Sequence, residues 1–68
     1  MPAFTVLESD GTPASNLQVI VSCPGEKGYG ITNRQGFVTV PMLQEFGKII
    51  INGRTVYYGS LEVDALRI

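Results

Sequence analysis

Apolar and polar residues alternate along most of this chain, and they do so in short runs. In the segment from Phe4 to Ser9, Phe4 and Val6 fall on one side and Thr5 and Leu7 on the other. Leu17, Val19, Val21 and Cys23 share one face of the next run, and Gln18, Ile20 and Ser22 share the opposite face. A period of two marks a half-buried strand. Tyr29 to Thr32 and Phe37 to Val40 are shorter runs of the same kind, with Val38 and Val40 on one face. Lys48 to Asn52 is apolar on both faces, which predicts a central strand. Arg54 to Tyr58 follows. Leu61 to Ala65 is the last alternating run, with Glu62 and Asp64 facing away from Leu61 and Val63.

Turn residues separate these runs. Asp10-Gly11-Thr12-Pro13 stops the first, because glycine reaches positive φ cheaply and proline cannot donate to a ladder. Pro24 to Gly28 reads as a loop by composition. Asn33-Arg34-Gln35-Gly36 reads as a tight turn in which asparagine bonds its own backbone. Pro41 ends the fourth run, and Met42 to Phe46 reads as one helical turn or a loop. Asn52-Gly53 is a strong hairpin signal and predicts a type I′ turn. Gly59 reads as a break, and a phase change near Ala65 reads as a bulge or bend. The sum is an all-β fold: six or seven short strands in a small antiparallel Greek-key β-sandwich. Turns fall at roughly 8–12-residue spacing, as in such sandwiches. A single domain spans residues 1–68, and no helix longer than about two turns is expected.

The order of these features resembles a known family. A strand precedes Asp10-Gly11-Thr12-Pro13-Ala14-Ser15-Asn16-Leu17, which leads into Val19-Ile20-Val21. Then come Thr32-Asn33, Gly36-Phe37, Leu43, and Gly47 ahead of an apolar strand. This pattern is similar to the carboxypeptidase regulatory-like and transthyretin-like (prealbumin-like) β-sandwiches, over about residues 5 to 59. Asn33 stands where that family usually carries aspartate, and the chain is at the short end of the family. The resemblance implies an accessory, binding or structural module. It carries over no catalytic residue, because the family shares none.

Composition narrows the picture. The chain has 68 residues, one cysteine and no histidine. A chain of this size buries only about 60% of its unfolded surface, so its stability is marginal. No intramolecular disulfide can form, and the Cys/His clusters of zinc sites are missing. Charged residues are 16% of the chain, below the roughly 25% of ordinary domains. Few charges favour a face that a partner covers. The net charge is −1, and the basic residues Lys27, Arg34, Lys48, Arg54 and Arg67 are scattered. Nucleic-acid binding needs such residues clustered, so no nucleic-acid partner is expected. No apolar run is long enough for membrane insertion. Without a visible targeting segment, and with a single cysteine, the chain is cytoplasmic by default.

Each candidate for chemistry has a plainer explanation. Cys23 lacks a histidine to activate it as a nucleophile, and it continues the Leu17–Val19–Val21 face as a buried thiol. The pairs Glu62/Asp64 and Glu8/Asp10 read as solvated faces, and no calcium-loop motif is present. Gly25, Gly28 and Gly30 lack the following helix that a dinucleotide site requires. Some surface-protein domains that this chain resembles carry Lys–Asn cross-links; Lys27 and Lys48 with Asn16, Asn33 or Asn52 are of the right type, yet each asparagine sits by a turn. No enzyme activity, cofactor or metal is therefore expected.

The second hairpin is the best interaction candidate. Tyrosine and arginine are favoured at protein interfaces, and neighbouring tyrosines on a strand point to opposite faces. The expected function is a non-enzymatic module for protein–protein contact or self-association, with Arg54, Val56, Tyr57 and Tyr58 at its interface. The alternative is a small ligand-binding or enzyme-like β-barrel with a pocket at a subunit interface. An enclosed pocket lined by Tyr57, Glu62 or Asp64 would favour the second; a filled core with an exposed apolar strip would favour the first.

Overall fold

The computed structural model describes all residues from Met1 to Ile68 and is all-β, with seven strands and no helix. The strands are β1 (Ala3–Leu7), β2 (Gln18–Cys23), β3 (Glu26–Ile31), β4 (Phe37–Thr39), β5 (Phe46–Ile51), β6 (Arg54–Ser60) and β7 (Ala65–Arg67). They form two sheets, a three-stranded one in the order β4-β1-β7 and a four-stranded one in the order β3-β2-β5-β6. The β-sandwich expected from the alternation is therefore present, with β5 central in the larger sheet.

Four details differ from the expectation. β1 and β7 pair in parallel, so the sandwich is not wholly antiparallel. The cause is that Leu61 to Asp64 is a crossing between the two sheets rather than a strand. Leu61 is buried and its N–H bonds Glu45 O. The final strand then begins only at Ala65. Gly59 does not break β6, because it pairs with Gly47 inside the ladder. Pro24 to Gly28 is not a loop either. Only Pro24-Gly25 turns, and Glu26 already pairs with Cys23. Of the two readings of Met42 to Phe46, the loop is the one present, over Met42 to Glu45, and Phe46 already begins β5.

The core is a single cluster that includes Phe4, Val6, Val19, Val21, Val38, Val40, Ile49, Ile51 and Leu61. These are the inward positions of the alternating runs, and β-branched side chains dominate because they suit a pleated, half-buried surface. Gly28 and Gly30 occupy two of the three inward positions of β3, with Glu26 at the third. A Cβ at Gly28 would lie 2.5 Å from Val40 Cγ1, and one at Gly30 would lie 2.6 Å from Val38 Cγ2. The missing side chains let the valines of the β4 region enter the space against β3. Glycine usually weakens a strand; here it closes the sandwich.

Three local networks fix the loops. Asn33 Oδ1 accepts hydrogen bonds from the N–H groups of Gln35 and Phe37, and Gly36 N–H bonds Asn33 O. This is the tight turn that its residues predict. Thr32 is buried; its hydroxyl donates to Ala14 O and accepts from Leu17 N–H. It thereby binds the crossing between β1 and β2 to the end of β3. At the exposed turn after β1, Asp10 accepts bonds from the Thr12 hydroxyl and the Thr12 N–H. These bonds hold its carboxyl below the usual pKa, the hydroxyl contributing most. A depressed folded pKa stabilises the turn above the unfolded pKa, and that contribution disappears as pH falls through the folded value.

The packing of β3 predicts a specific cost. Gly30→Ala forces a methyl group into Val38, and overpacking of this kind costs about 1–3 kcal/mol. Thermal or urea unfolding should show the loss for Gly28→Ala and Gly30→Ala alike. Unchanged stability in both variants would contradict the packing described.

Candidate functional site

The outer face of the four-stranded sheet is the most distinctive surface of the molecule. Its composition follows from the register. Tyr29 pairs with Ile20, Ile20 with Ile50, and Ile50 with Thr55, which makes one row across all four strands. The next row is Lys27, Ser22, Lys48 and Tyr58. Ile31 opposite Gln18 lies beyond the first row, and Phe46 opposite Ser60 lies beyond the second. Tyr29, Ile31, Phe46 and Tyr58 are all among the large exposed hydrophobic residues. Ile20 and Ile50 are half-buried between them.

Tyr58 and Phe46 meet edge to face, with ring centroids 5.7 Å apart and planes at 85°. This is a favourable aromatic geometry. Beside the pair is an open groove of about 400 Å³ lined by Ser22, Cys23, Pro24, Phe46, Gly47, Lys48 and Tyr58. Cys23 contributes to its floor but is itself buried. A side chain at Gly47 would collide with Ser22 O and Cys23 Sγ, so β5 at Gly47 lies close against the backbone and thiol at the end of β2.

The four residues expected at the interface do not lie on one surface. Tyr58 is 69% exposed and stands on the outer face. Tyr57 pairs with the buried Ile49, packs against the core, and donates its hydroxyl to Ser60 O at 2.6 Å. Val56 has no partner in the ladder, because the register shifts between Ile49 and Ile50. A bulge of this kind sets two residues of one strand against one of its partner, and Val56 and Tyr57 both pack against the core. Arg54 pairs with Ile51 at the hairpin end. Arg54 and Val56 line a separate groove of about 250 Å³ with Glu8, Ile51, Asn52 and Ile68. Tyr58 alone belongs to the exposed sheet face.

Sequence reasoning overlooked most of that face. Tyr29 and Ile31 stand in a run that alternation marks as a strand, but nothing in that run shows which of its faces is outward; the register with β2 does. Ile20 was legible, since it stood opposite Val19 and Val21 in the alternation, and so was Ile50, in a segment apolar on both sides. Their partnership across strands required the pairing order β3-β2-β5-β6. The third depression is wholly polar, lined by Ser15, Asn16, Thr32, Asn33 and Arg34. None of the three is lined by Tyr57, Glu62 or Asp64. Nowhere do three or more cysteine, aspartate or glutamate side chains gather in a group that could hold a metal ion. No helix is long and apolar enough to cross a membrane. Lys27 and Lys48 are both exposed on the outer face, away from the buried setting that a Lys–Asn cross-link needs.

Two outcomes follow from these positions. Tyr57→Ala should destabilise the domain by about 1–3 kcal/mol, because its partly buried ring covers the core, whereas Tyr57→Phe should lose no more than about 0.5–1 kcal/mol for an exposed hydrogen bond; urea unfolding separates the two. Cys23 should react with a thiol reagent far more slowly in the native protein than in denaturant, and equal rates would contradict its burial. No family model, curated protein or solved structure matches the chain, so its function has to be argued from this geometry.

Proposed function

We propose that this chain is a non-enzymatic binding or structural module that works by protein–protein contact through the outer face of its four-stranded sheet. One observation carries the reading: Tyr29, Ile31, Phe46 and Tyr58 are exposed together on that face while the interior is filled by a separate apolar cluster. Contiguous exposed apolar surface rimmed by polar residues marks interaction sites, and aromatic residues are the favoured anchors. The sheet presents them at low entropic cost, because strands hold their side chains more firmly than loops do. A relationship to the prealbumin-like and carboxypeptidase regulatory-like sandwiches belongs to the same proposal. Its support is the Asp10–Pro13 and Asn33–Gly36 turns of the sequence, now seen to join strands of a two-sheet sandwich. An accessory role suits such a module, since it needs no chemistry of its own.

The test is selection of binders from a displayed library of random short peptides, followed by measurement of their affinity for variants. Tyr58→Ala should leave thermal unfolding nearly unchanged, because the side chain is exposed, and should weaken the selected binders by about 2 kcal/mol, the size of an interface anchor. Phe37→Ala, on β4 of the other sheet, should not affect them. Binders that ignore Tyr58→Ala and Tyr29→Ala but lose affinity with Phe37→Ala would move the functional surface to the other sheet.

A further inference from the structure

We infer that the partner at this sheet face is an acidic protein segment carrying a bulky apolar anchor, and not a second copy of the chain. This rests on the binding role proposed above and adds the chemistry of the occupant. Lys27 and Lys48 are the only charged residues in the paired rows that make up the face. They stand in one row on either side of Ser22, on strands two apart, so their Cα atoms are about 10 Å apart across the sheet. The acidic residues all lie elsewhere. Glu8 and Asp10 are at the turn after β1, Glu45 precedes β5, and Glu62 and Asp64 are in the crossing to β7. Glu26 is on β3 but pairs with the buried Cys23, so it is on the inward side. Its carboxylate accepts bonds from the N–H groups of Leu43 and Gln44.

This distribution selects among occupants. Two copies packed face to face would bring their lysines together with no carboxylate between them, and like charges brought together at an interface are penalised. A nucleic acid would find aromatic rings but only two cations in a chain of net charge −1, far fewer than phosphate recognition uses. An acidic peptide meets both features. Carboxylates about 10 Å apart would face Lys27 and Lys48. A bulky apolar side chain would enter the groove of about 400 Å³ beside Lys48, against the Phe46–Tyr58 pair, while the row of Tyr29, Ile20 and Ile50 would cover the flanking apolar residues. Groove volumes of this size accommodate buried ligand groups.

The experiment takes the peptides selected on the intact chain and measures their binding to Lys27→Glu, Lys48→Glu and the double variant. It adds titration with a single-stranded oligothymidine and the solution mass over a range of concentrations. Thermal unfolding of each variant establishes that it is folded; both lysines are exposed, and Lys27→Gln with Lys48→Gln replaces any variant that is not. The expected result is that selected peptides are rich in Asp and Glu, lose at least about tenfold in affinity on charge reversal, and weaken as salt is raised. The expected solution mass is that of a monomer. Peptides that depend on Tyr58 but are indifferent to the lysines would overturn the acidic partner and leave the binding face standing. Peptides indifferent to Tyr58, Tyr29 and the lysines alike would overturn the binding face itself. A dimer that Tyr58→Ala dissociates, or tighter binding of the oligonucleotide than of the acidic peptides, would replace the inferred partner.

Discussion

The close approach of β4 to β3 is the constraint on which the rest of this molecule depends. The chain has no disulfide to restrict its unfolded state, and its size allows only a modest core. It gains packing by bringing two sheets together over a floor without side chains. Val38 and Val40 occupy the positions that Cβ atoms of Gly30 and Gly28 would fill. In a strand, successive side chains point to opposite faces. With glycine at the two inward positions between Lys27 and Ile31, the outward Lys27, Tyr29 and Ile31 carry all of that stretch's side-chain character. The same arrangement that closes the core furnishes one edge of the exposed face.

The opposite edge of the face is set by a different device. The bulge at Val56 lets Val56 and Tyr57 both serve the core, where strict alternation would send one of them out. Tyr58 then falls on the outside opposite Lys48 and against Phe46. The hairpin turn fixes the register as far as Ile50 and Thr55, because Asn52 and Gly53 both have positive φ, 54° and 76°, as a type I′ turn requires, and the bulge sets it from Tyr57 onward. The face is thus bounded by a glycine-lined strand and a bulged one, with Ile20 and Ile50 between them. Surfaces of this kind are preorganised, and preorganisation lowers the entropic cost of binding.

Much of the architecture was legible in the chain, for reasons that are local. Val19, Val21 and Cys23 turn inward where the alternation places them, and Asn33 and Asn52-Gly53 make the turns their chemistry favours. What failed depended on partners distant in sequence. Gly28 reads as a loop residue, and the packing role of Gly30 goes unmarked, because nothing nearby reveals the valines that cover them. Leu61 and Val63 alternate with Glu62 and Asp64 as a strand would, yet the segment crosses between sheets and bonds Glu45 and Thr5 at its two ends. Tyr58 was singled out on composition, and the reading of one tyrosine inward and one outward fits the structure. Arg54 and Val56 were grouped with it only because they are close in sequence; the bulge separates them from the face. Lys27 and Lys48 become a pair only once β3, β2 and β5 are known to be neighbours.

The central claim is one of sidedness: glycines and valines inward, aromatics and lysines outward. A one-residue slip in register would invert every side chain of a strand, so the claim can be tested on a single sample. The direct measurement is nuclear relaxation of side-chain protons by a soluble paramagnetic probe that cannot enter the protein. Strong relaxation is expected for the Tyr29, Phe46 and Tyr58 rings and the Ile31 methyl groups, which are exposed. Protection is expected for the Val38, Val40 and Ile49 methyl groups and for the Hα protons of Gly28 and Gly30. Relaxed glycine protons together with protected Tyr29 and Ile31 would show β3 facing the other way, and both the core packing and the binding face would have to be abandoned.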